Sequence, residues 1–445
     1  MWTTEHLIIL SDLHLGPVEV EWAFAESTEV SGLLDWIAEE VSGPCQIVFA
    51  GDIFDCLLRN DALQKTCGFE PLVPPNFITS VLDSHPHLGA ALRRIVRSPD
   101  HELTFLSGNH DPELILPSVQ KRVESWLEPA NAQPPLRWVV YGEGVRFEVG
   151  GVRVLVEHGD LFDAWNRIDH AGLRLALARF QRGLEGDGHY RAPVGTNLFR
   201  EFILPLGPRY PWISALKPER EAVFPLMHTF LPPHQRPSFR KALSLALPSL
   251  TRSFIATSVG KGRPAELQRA GLEGAEQRRL LMDWLADEER ATARRGTEKT
   301  KAQALIRRLR NVSAEDTYFD VTAPDRNAKL VSELLDGYLD VLVCGHTHAA
   351  KAYPLGKGLY LNTGAWQRLL QLPNSTATDL EWGSFLDGLQ SGKPVAAWRR
   401  TFVHIFGGKR GSGAEASLLE WKDFRVSTLR SFSLDLSTRR WRRTI

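Results

Sequence analysis

The chain has 445 residues, 43% of them hydrophobic and 24% charged, and its 53 basic side chains balance 53 acidic ones. This composition excludes a disordered chain and predicts a packed core. The charge balance excludes a global electrostatic pull toward nucleic acid and leaves only local basic clusters to consider.

Short apolar runs come first. Residues 7–10, 46–50 and 102–106 predict buried strands, and each runs into a turn that carries Asp or His. Helical periodicity lies between them, over 31–41 and 88–96. This alternation predicts a layered α/β fold. Residues 138–141, 145–149 and 152–156 predict three more strands, the last two joined by Gly150-Gly151. The middle of the chain, 164–311, is mainly helical: 202–250 is rich in Pro and large apolar residues, and 264–310 is charged and amphipathic with a break at Arg295-Gly296. Strands resume at 341–344 and 359–362, 371–394 has the character of a loop, and 425–428 and 431–436 alternate as edge strands do. The tail ends in the basic cluster Arg439, Arg440, Arg442 and Arg443. The expected organisation is a core in two parts, 1–163 and 326–370, split by a helical insertion at 164–325 and followed by a strand-rich extension at 371–445.

The four cysteines, Cys45, Cys56, Cys67 and Cys344, form no C-x-x-C pair, so a reducing compartment is expected rather than a disulfide framework. The first ten residues lead directly toward Asp12 without the features of a signal peptide. No uncharged apolar run reaches the roughly 18 residues of a membrane span. A cytoplasmic protein is expected, touching the inner membrane face if its substrate is a lipid.

Five polar motifs stand at or near strand ends: Ser11-Asp12-Leu13-His14, Gly51-Asp52-Ile53-Phe54-Asp55, Gly108-Asn109-His110-Asp111, Glu157-His158-Gly159-Asp160 and Gly345-His346-Thr347-His348. In α/β sheets, ligand sites lie beyond the carboxyl ends of the strands, so these turns can meet at one place. Carboxylates, imidazoles and an amide oxygen are ligands for Mn²⁺, Fe and Zn²⁺. Singly, each residue has an ordinary explanation. Asp12 or Asp52 could end a strand in a turn or cap a helix, His14 could be a satisfied histidine, and Asp55 or Asp111 a helix cap. Five in order are a much more specific signal.

In this order the motifs D-x-H, G-D-x-x-D, G-N-H-D, H-G-D and G-H-T-H resemble those of the calcineurin-like metallophosphoesterases, over residues 5–160 and 335–365. The resemblance implies a four-layer α/β/β/α sandwich with two divalent transition metals at its strand ends, Mn first, with Fe and Zn as alternatives. It implies that Asp12, His14, Asp52 and His348 hold one metal, that Asp52, Asn109, His158 and His346 hold the other, and that Asp52 bridges them. A bridging hydroxide would then attack phosphorus in line. His110 would stabilise the phosphoryl group or protonate the leaving oxygen, and Asp55 would orient His110. Asn166, Arg167 and His170 follow the fourth motif and could reach a substrate, although an exposed helix face is the more ordinary explanation for them.

Within the superfamily the chain is most similar to bacterial enzymes that cleave UDP-2,3-diacylglucosamine. It shares their S-D-L-H-L-G start and a helical insertion between the last two histidine motifs, but it carries His110 where they carry Arg. A phosphate-containing small molecule or lipid is the implied substrate. Apolar insertion residues such as Phe202, Trp212, Phe224 and Leu231 could line a lipid pocket or pack as the insertion's own core. The alternatives are a nuclease or general phosphodiesterase, for which a basic groove would be needed, and a non-catalytic scaffold, which would be expected to lack ligands.

Overall fold

The structure, a computed structural model, describes residues 2–17, 27–58, 75–127, 136–184, 190–232, 234, 236, 298–325, 328–335, 337–393, 399–407, 413–435 and 440–444. Most of 202–250 beyond 232, the proposed break at Arg295-Gly296 and Cys67 lie outside the described residues.

In chain order the strands are β1 (Trp2–Thr4), β2 (His6–Leu10), β3 (Cys45–Ala50), β4 (His101–Leu106), β5 (Leu136–Val139), β6 (Val145–Val149), β7 (Val152–Val156) and β8 (Leu216–Lys217). They continue with β9 (Val341–Cys344), β10 (Lys351–Leu355), β11 (Gly358–Asn362), β12 (Leu370–Gln371), β13 (Arg400–Gly407), β14 (Ala414–Lys422), β15 (Arg425–Asp435) and β16 (Arg440–Arg443). An eight-stranded sheet has the order β16-β15-β14-β13-β2-β3-β4-β5, and a six-stranded sheet the order β1-β6-β7-β9-β11-β10. The short strands β8 and β12 form a separate parallel pair.

Residue alternation along each strand builds the layers. On β2, Leu7 and Ile9 face the core between the sheets, where Val154, Val156, Val341, Val343, Leu359 and Leu361 meet them. Ile8 and Leu10 face the other way, onto the helices Ser27–Glu40 and Pro86–Arg97 through Leu33, Ile37, Leu88 and Ile95. On β9, Leu342 and Cys344 face a second outer layer with Leu330, Val331 and Leu335. The result is the expected α/β/β/α sandwich. Both central strand groups are buried on both faces, which is why they read as continuous apolar runs.

The tail differs from its expectation as edge strands. β13 pairs antiparallel with β2, Val403 opposite Ile9, in the middle of the eight-stranded sheet. Of the four tail strands, only β16 lies at an edge. The physical reason is burial: Phe402, Val403, Ile405, Ala416 and Leu418 are all fully covered. Residues 371–394 also contain a helix, Asp379–Gln390, started by a capping box between Thr378 and Glu381.

The described helices Glu219–Phe230 and Glu298–Glu315 pack with Asp379–Gln390 around a separate apolar cluster. Trp212, Leu226 and Leu231 are buried in it beside Trp165 and Trp382, so these residues form the helical layer's own core. The side chains of Phe202 and Phe224 are outside the described set. Among the described residues no helix is long and apolar enough to cross a membrane. Cys45, Cys56 and Cys344 are buried and free of disulfides.

One buried cation secures the rim of the sandwich. Lys351, on β10, is 1% exposed and donates to the carbonyls of Thr317 and Asp320, each at 2.7 Å. Burial pulls its ammonium below the usual lysine range, against the carboxylates of Asp325, Asp320 and Asp316. Tyr318 on the same loop donates to the Thr347 carbonyl at 3.0 Å, between His346 and His348. Lys351→Met should therefore destabilise the fold by about 1–3 kcal/mol, because it removes the donor to two loop carbonyls and the cation facing Asp316 and Asp325. Urea unfolding measures this, and a loss below about 0.5 kcal/mol would contradict the role.

Candidate metal centre

The five motifs arrive from two sheets. β2, β3 and β4 are parallel neighbours in one, and β7 and β9 in the other. Within each sheet these strands end on one side, and contacts between the two sets of turns, such as His346 N–H to Asp12 Oδ2 at 2.9 Å, bring all five together. Backbone hydrogen bonds carry the ladder beyond the strands: Asp12 N–H donates to Gly51 O at 3.1 Å, His14 N–H to Asp52 O at 2.9 Å, and Gly345 N–H to His158 O at 2.8 Å.

The backbone is strained where the polar side chains leave it. Seven described non-glycine residues have positive φ, and five of them are Asp12 (54°), His14 (48°), Asp52 (52°), His346 (67°) and His348 (58°). Each left-handed residue costs about 1–2 kcal/mol. Strain gathered on one set of polar turns is a mark of a functional site.

The side chains these turns deliver form three groups, each with its ligand atoms within 4.8 Å of one another: Asp12, His14 and His348; His14, Asp55 and His110, which shares His14 with the first; and Asp52, His158 and His346. These groups could hold metal ions. Asn109 joins the third, its Oδ1 3.2 Å from His158 Nε2. Asp52 Oδ2 lies 3.8 Å from His14 Nε2 and 3.3 Å from His158 Nε2, between the first and third groups. Asp52 Oδ1 accepts the backbone N–H of His110 at 2.8 Å.

The donors are oriented from behind. His158 Nδ1 donates to Ala50 O at 2.9 Å, which turns Nε2 into the cluster. Asp163 holds His346 Nε2 at 3.2 Å, and the Gln367 amide lies 2.6 Å from His348 Nδ1. Asp55 contacts His14 Nδ1 at 3.3 Å and His110 Nδ1 at 3.0 Å. Such outer partners fix the tautomer and aim of metal-binding imidazoles.

One atom gives a direct test of whether a cation fits. Asp12 is wholly buried, its Oδ2 accepts the His346 N–H at 2.9 Å, and its Oδ1 has no hydrogen-bond partner. That oxygen is 3.3 Å from His348 Nε2 and 3.9 Å from His14 Nε2, too far from the latter for a hydrogen bond. A buried carboxylate oxygen facing two imidazole nitrogens is suited to a divalent cation.

Electrostatics agree. Burial alone would raise the Asp52 carboxyl, but His158, His110 and His14 hold it well below its ordinary range. Burial would lower His158, but Asp52 holds it well above. Burial also opposes the charge on His110, yet Asp55 and Asp52 bring it up to about 9. His348 goes the other way, down to about 4, mainly through burial. Carboxylates this strongly coupled to imidazoles favour positive charge among them, as protons or as a cation.

Asp111 does not cap a helix with its side chain. Its Oδ1 accepts the Gly108 N–H at 2.6 Å and its Oδ2 the Ile53 N–H at 2.8 Å, so it ties the second and third motifs together. Burial and the Asp52 charge push it up to about 7, against those N–H groups. Gly108 is needed for close approach: a Cβ there would lie 2.1 Å from Asp52 Oδ1 and 2.8 Å from His158 Nε2. Gly108→Ala should lower metal affinity about ten- to hundred-fold while the protein stays folded. Competition with a chelator measures it, and an unchanged affinity would refute the requirement.

The three residues proposed for substrate divide. Asn166 donates to Asp163 Oδ2 at 2.8 Å and so stands one partner away from His346. Arg167 Nε donates to the Leu161 carbonyl at 2.9 Å. His170 packs near Gly142, whose added Cβ would lie 2.3 Å from the ring. Neither Arg167 nor His170 has a hydrogen bond to a cluster side chain among the described residues. Asp163, Gln367 and Phe199, which meets the His110 ring edge-on at 5.5 Å, have no signal in the sequence motifs.

No family model and no curated sequence matches the chain. Among solved structures, a conserved uncharacterized protein of Streptococcus pneumoniae, titled a predicted phosphoesterase, aligns over 97% of this chain and 98% of its own. The identity is 10% and the TM-score 0.25, a likeness too slight to build on.

Proposed function

We propose that the chain is a phosphoester hydrolase that works with two divalent transition metals. The observation that carries this is the carboxylate of Asp52, placed between two imidazole-rich groups drawn from five strand ends. Asp12, His14, Asp52 and His348 would hold one cation, and Asp52, Asn109, His158 and His346 the other. Bound there, the pair would acidify water and neutralise phosphate oxygens. Mn is our first choice of metal, and the mixed nitrogen and oxygen donors equally accept Fe or Zn.

The chain's own residues supply the rest. His110, 18% exposed at its side chain, is the one imidazole of the group that the ligand assignment leaves free. Asp55 holds its Nδ1, so Nε2 is the nitrogen that would meet the substrate. As the bond from phosphorus to the leaving oxygen breaks, that oxygen takes the Nε2 proton and departs as an alcohol. Water supplies the oxygen gained by phosphorus, and its proton restores the imidazolium. Cation charge nearby would oppose the rise to about 9 and bring His110 closer to a useful value at neutral pH.

The substrate class is a phosphodiester or pyrophosphate. A lipid-linked or nucleotide-sugar pyrophosphate of the UDP-diacylglucosamine type belongs to that class. The described apolar residues of the helical layer give it no special support, because they are spent on their own core. The protein loaded with Mn²⁺ should hydrolyse bis-p-nitrophenyl phosphate and lose that activity with a chelator. Correct metal loading without turnover would favour a scaffold, and turnover only of DNA a nuclease.

A further inference from the structure

We propose that the segment from Val194 to Ile203 braces the centre at two points and that Phe199 is a positioning residue for His110. This rests on His110 acting as the acid described above. The segment is α-helical over Val194–Leu198 and π-helical over Phe199–Ile203. Single π-helical turns are rare and often mark functional sites. Gly195 and Phe199 are four positions apart, which puts them on one helix face.

Each of the two touches a different part of the centre. Gly195 donates its N–H to Trp165 O at 2.8 Å and lies so close to Asn166 that a Cβ would be 1.8 Å from Asn166 Oδ1. Asn166 in turn donates to Asp163 Oδ2 at 2.8 Å, the same oxygen that holds His346 Nε2 at 3.2 Å. The helix start therefore backs a candidate metal ligand through two side chains. At the other point, the Phe199 ring meets His110 at 5.5 Å and 77°. The His14 ring meets His110 at 4.6 Å and 88°. Two perpendicular rings and the Asp55 carboxylate together confine the imidazole, leaving Nε2 as its polar corner. A single helix from the middle of the chain thus completes a centre whose ligands all come from the flanking strands.

The test uses the metal-loaded full-length chain and aryl phosphodiesters whose leaving groups run from p-nitrophenol to phenol. The poorer leaving group needs the proton more. Phe199→Ala should lower kcat for the phenyl ester at least about tenfold more than for the p-nitrophenyl ester, the signature of a misplaced general acid. Phe199→Tyr should restore most of the difference. An equal loss on both esters would overturn the positioning role, because general loosening does not sort leaving groups. Gly195→Ala reads the other contact without turnover. It should weaken Mn²⁺ binding about tenfold in chelator competition, and unchanged binding would overturn that half. If the unaltered, metal-loaded chain hydrolyses neither ester, the proposed hydrolase fails, while the Gly195→Ala result still decides whether the helix braces the metal ligands.

Discussion

Asp52→Asn is expected to disable the centre more than any other single change. The carboxylate oxygen Oδ2 stands between His14 and His158, and Oδ1 holds the His110 backbone. The amide has almost the same shape but carries no charge and presents one poor ligand atom. Two dications placed side by side would lose the negative charge that offsets their repulsion. Metal content should fall toward one per chain or lower, and turnover by about 10³-fold or more, equivalent to about 4 kcal/mol of barrier. Elemental analysis and kinetics on the same preparation decide it. A variant that keeps two metals and near-normal turnover would show that Asp52 does not bridge.

His110→Ala should separate chemistry from metal binding. The side chain is removed, but the His110 backbone N–H that donates to Asp52 is retained. Asp55 also keeps its contact with His14 at 3.3 Å. Metal content should therefore stay at the unaltered level. The rate should fall about 10²–10⁴-fold for esters whose leaving group needs a proton, the usual worth of a general acid. For p-nitrophenyl esters the loss should be smaller. A variant that sheds metal would instead make His110 a ligand, in keeping with its place in a group with His14 and Asp55.

The candidate centre was legible in the sequence because its residues follow apolar strands directly. β2, β3, β4, β7 and β9 appear as short buried runs, and the residues after them carry the donors. Local order sufficed, since the carboxyl ends of parallel strands meet in space. What stayed hidden depends on distant partners. Asp163 is an ordinary residue until His346 lies against it, 183 positions away in sequence. Gln367 gains its role from His348. Phe199 meets His110 only because the helical segment folds back on it. The tail was misplaced for the same reason. Residues 425–428 and 431–436 alternate as edge strands do, yet β15 lies between β14 and β16, and the tail enters the sheet through the pairing of β13 with β2, almost 400 positions earlier. The helix Asp379–Gln390 was missed although Thr378 and Glu381 form a capping box, because the surrounding Asn, Ser and Gly residues have turn character.

The apolar middle segment shows how composition can mislead about function. Large apolar residues there are compatible with a lipid pocket, but Trp212, Leu226 and Leu231 are covered by their neighbours. Burial accounts for them, and a bound acyl chain is not needed to explain their presence.

The most direct measurement is a crystal structure of the active, metal-loaded protein with anomalous scattering collected at the metal edge. The predicted result is two peaks, one within ligand distance of Asp12, His14 and His348 and one within ligand distance of Asn109, His158 and His346, with Asp52 touching both. A single peak, or peaks placed away from Asp52, would contradict it.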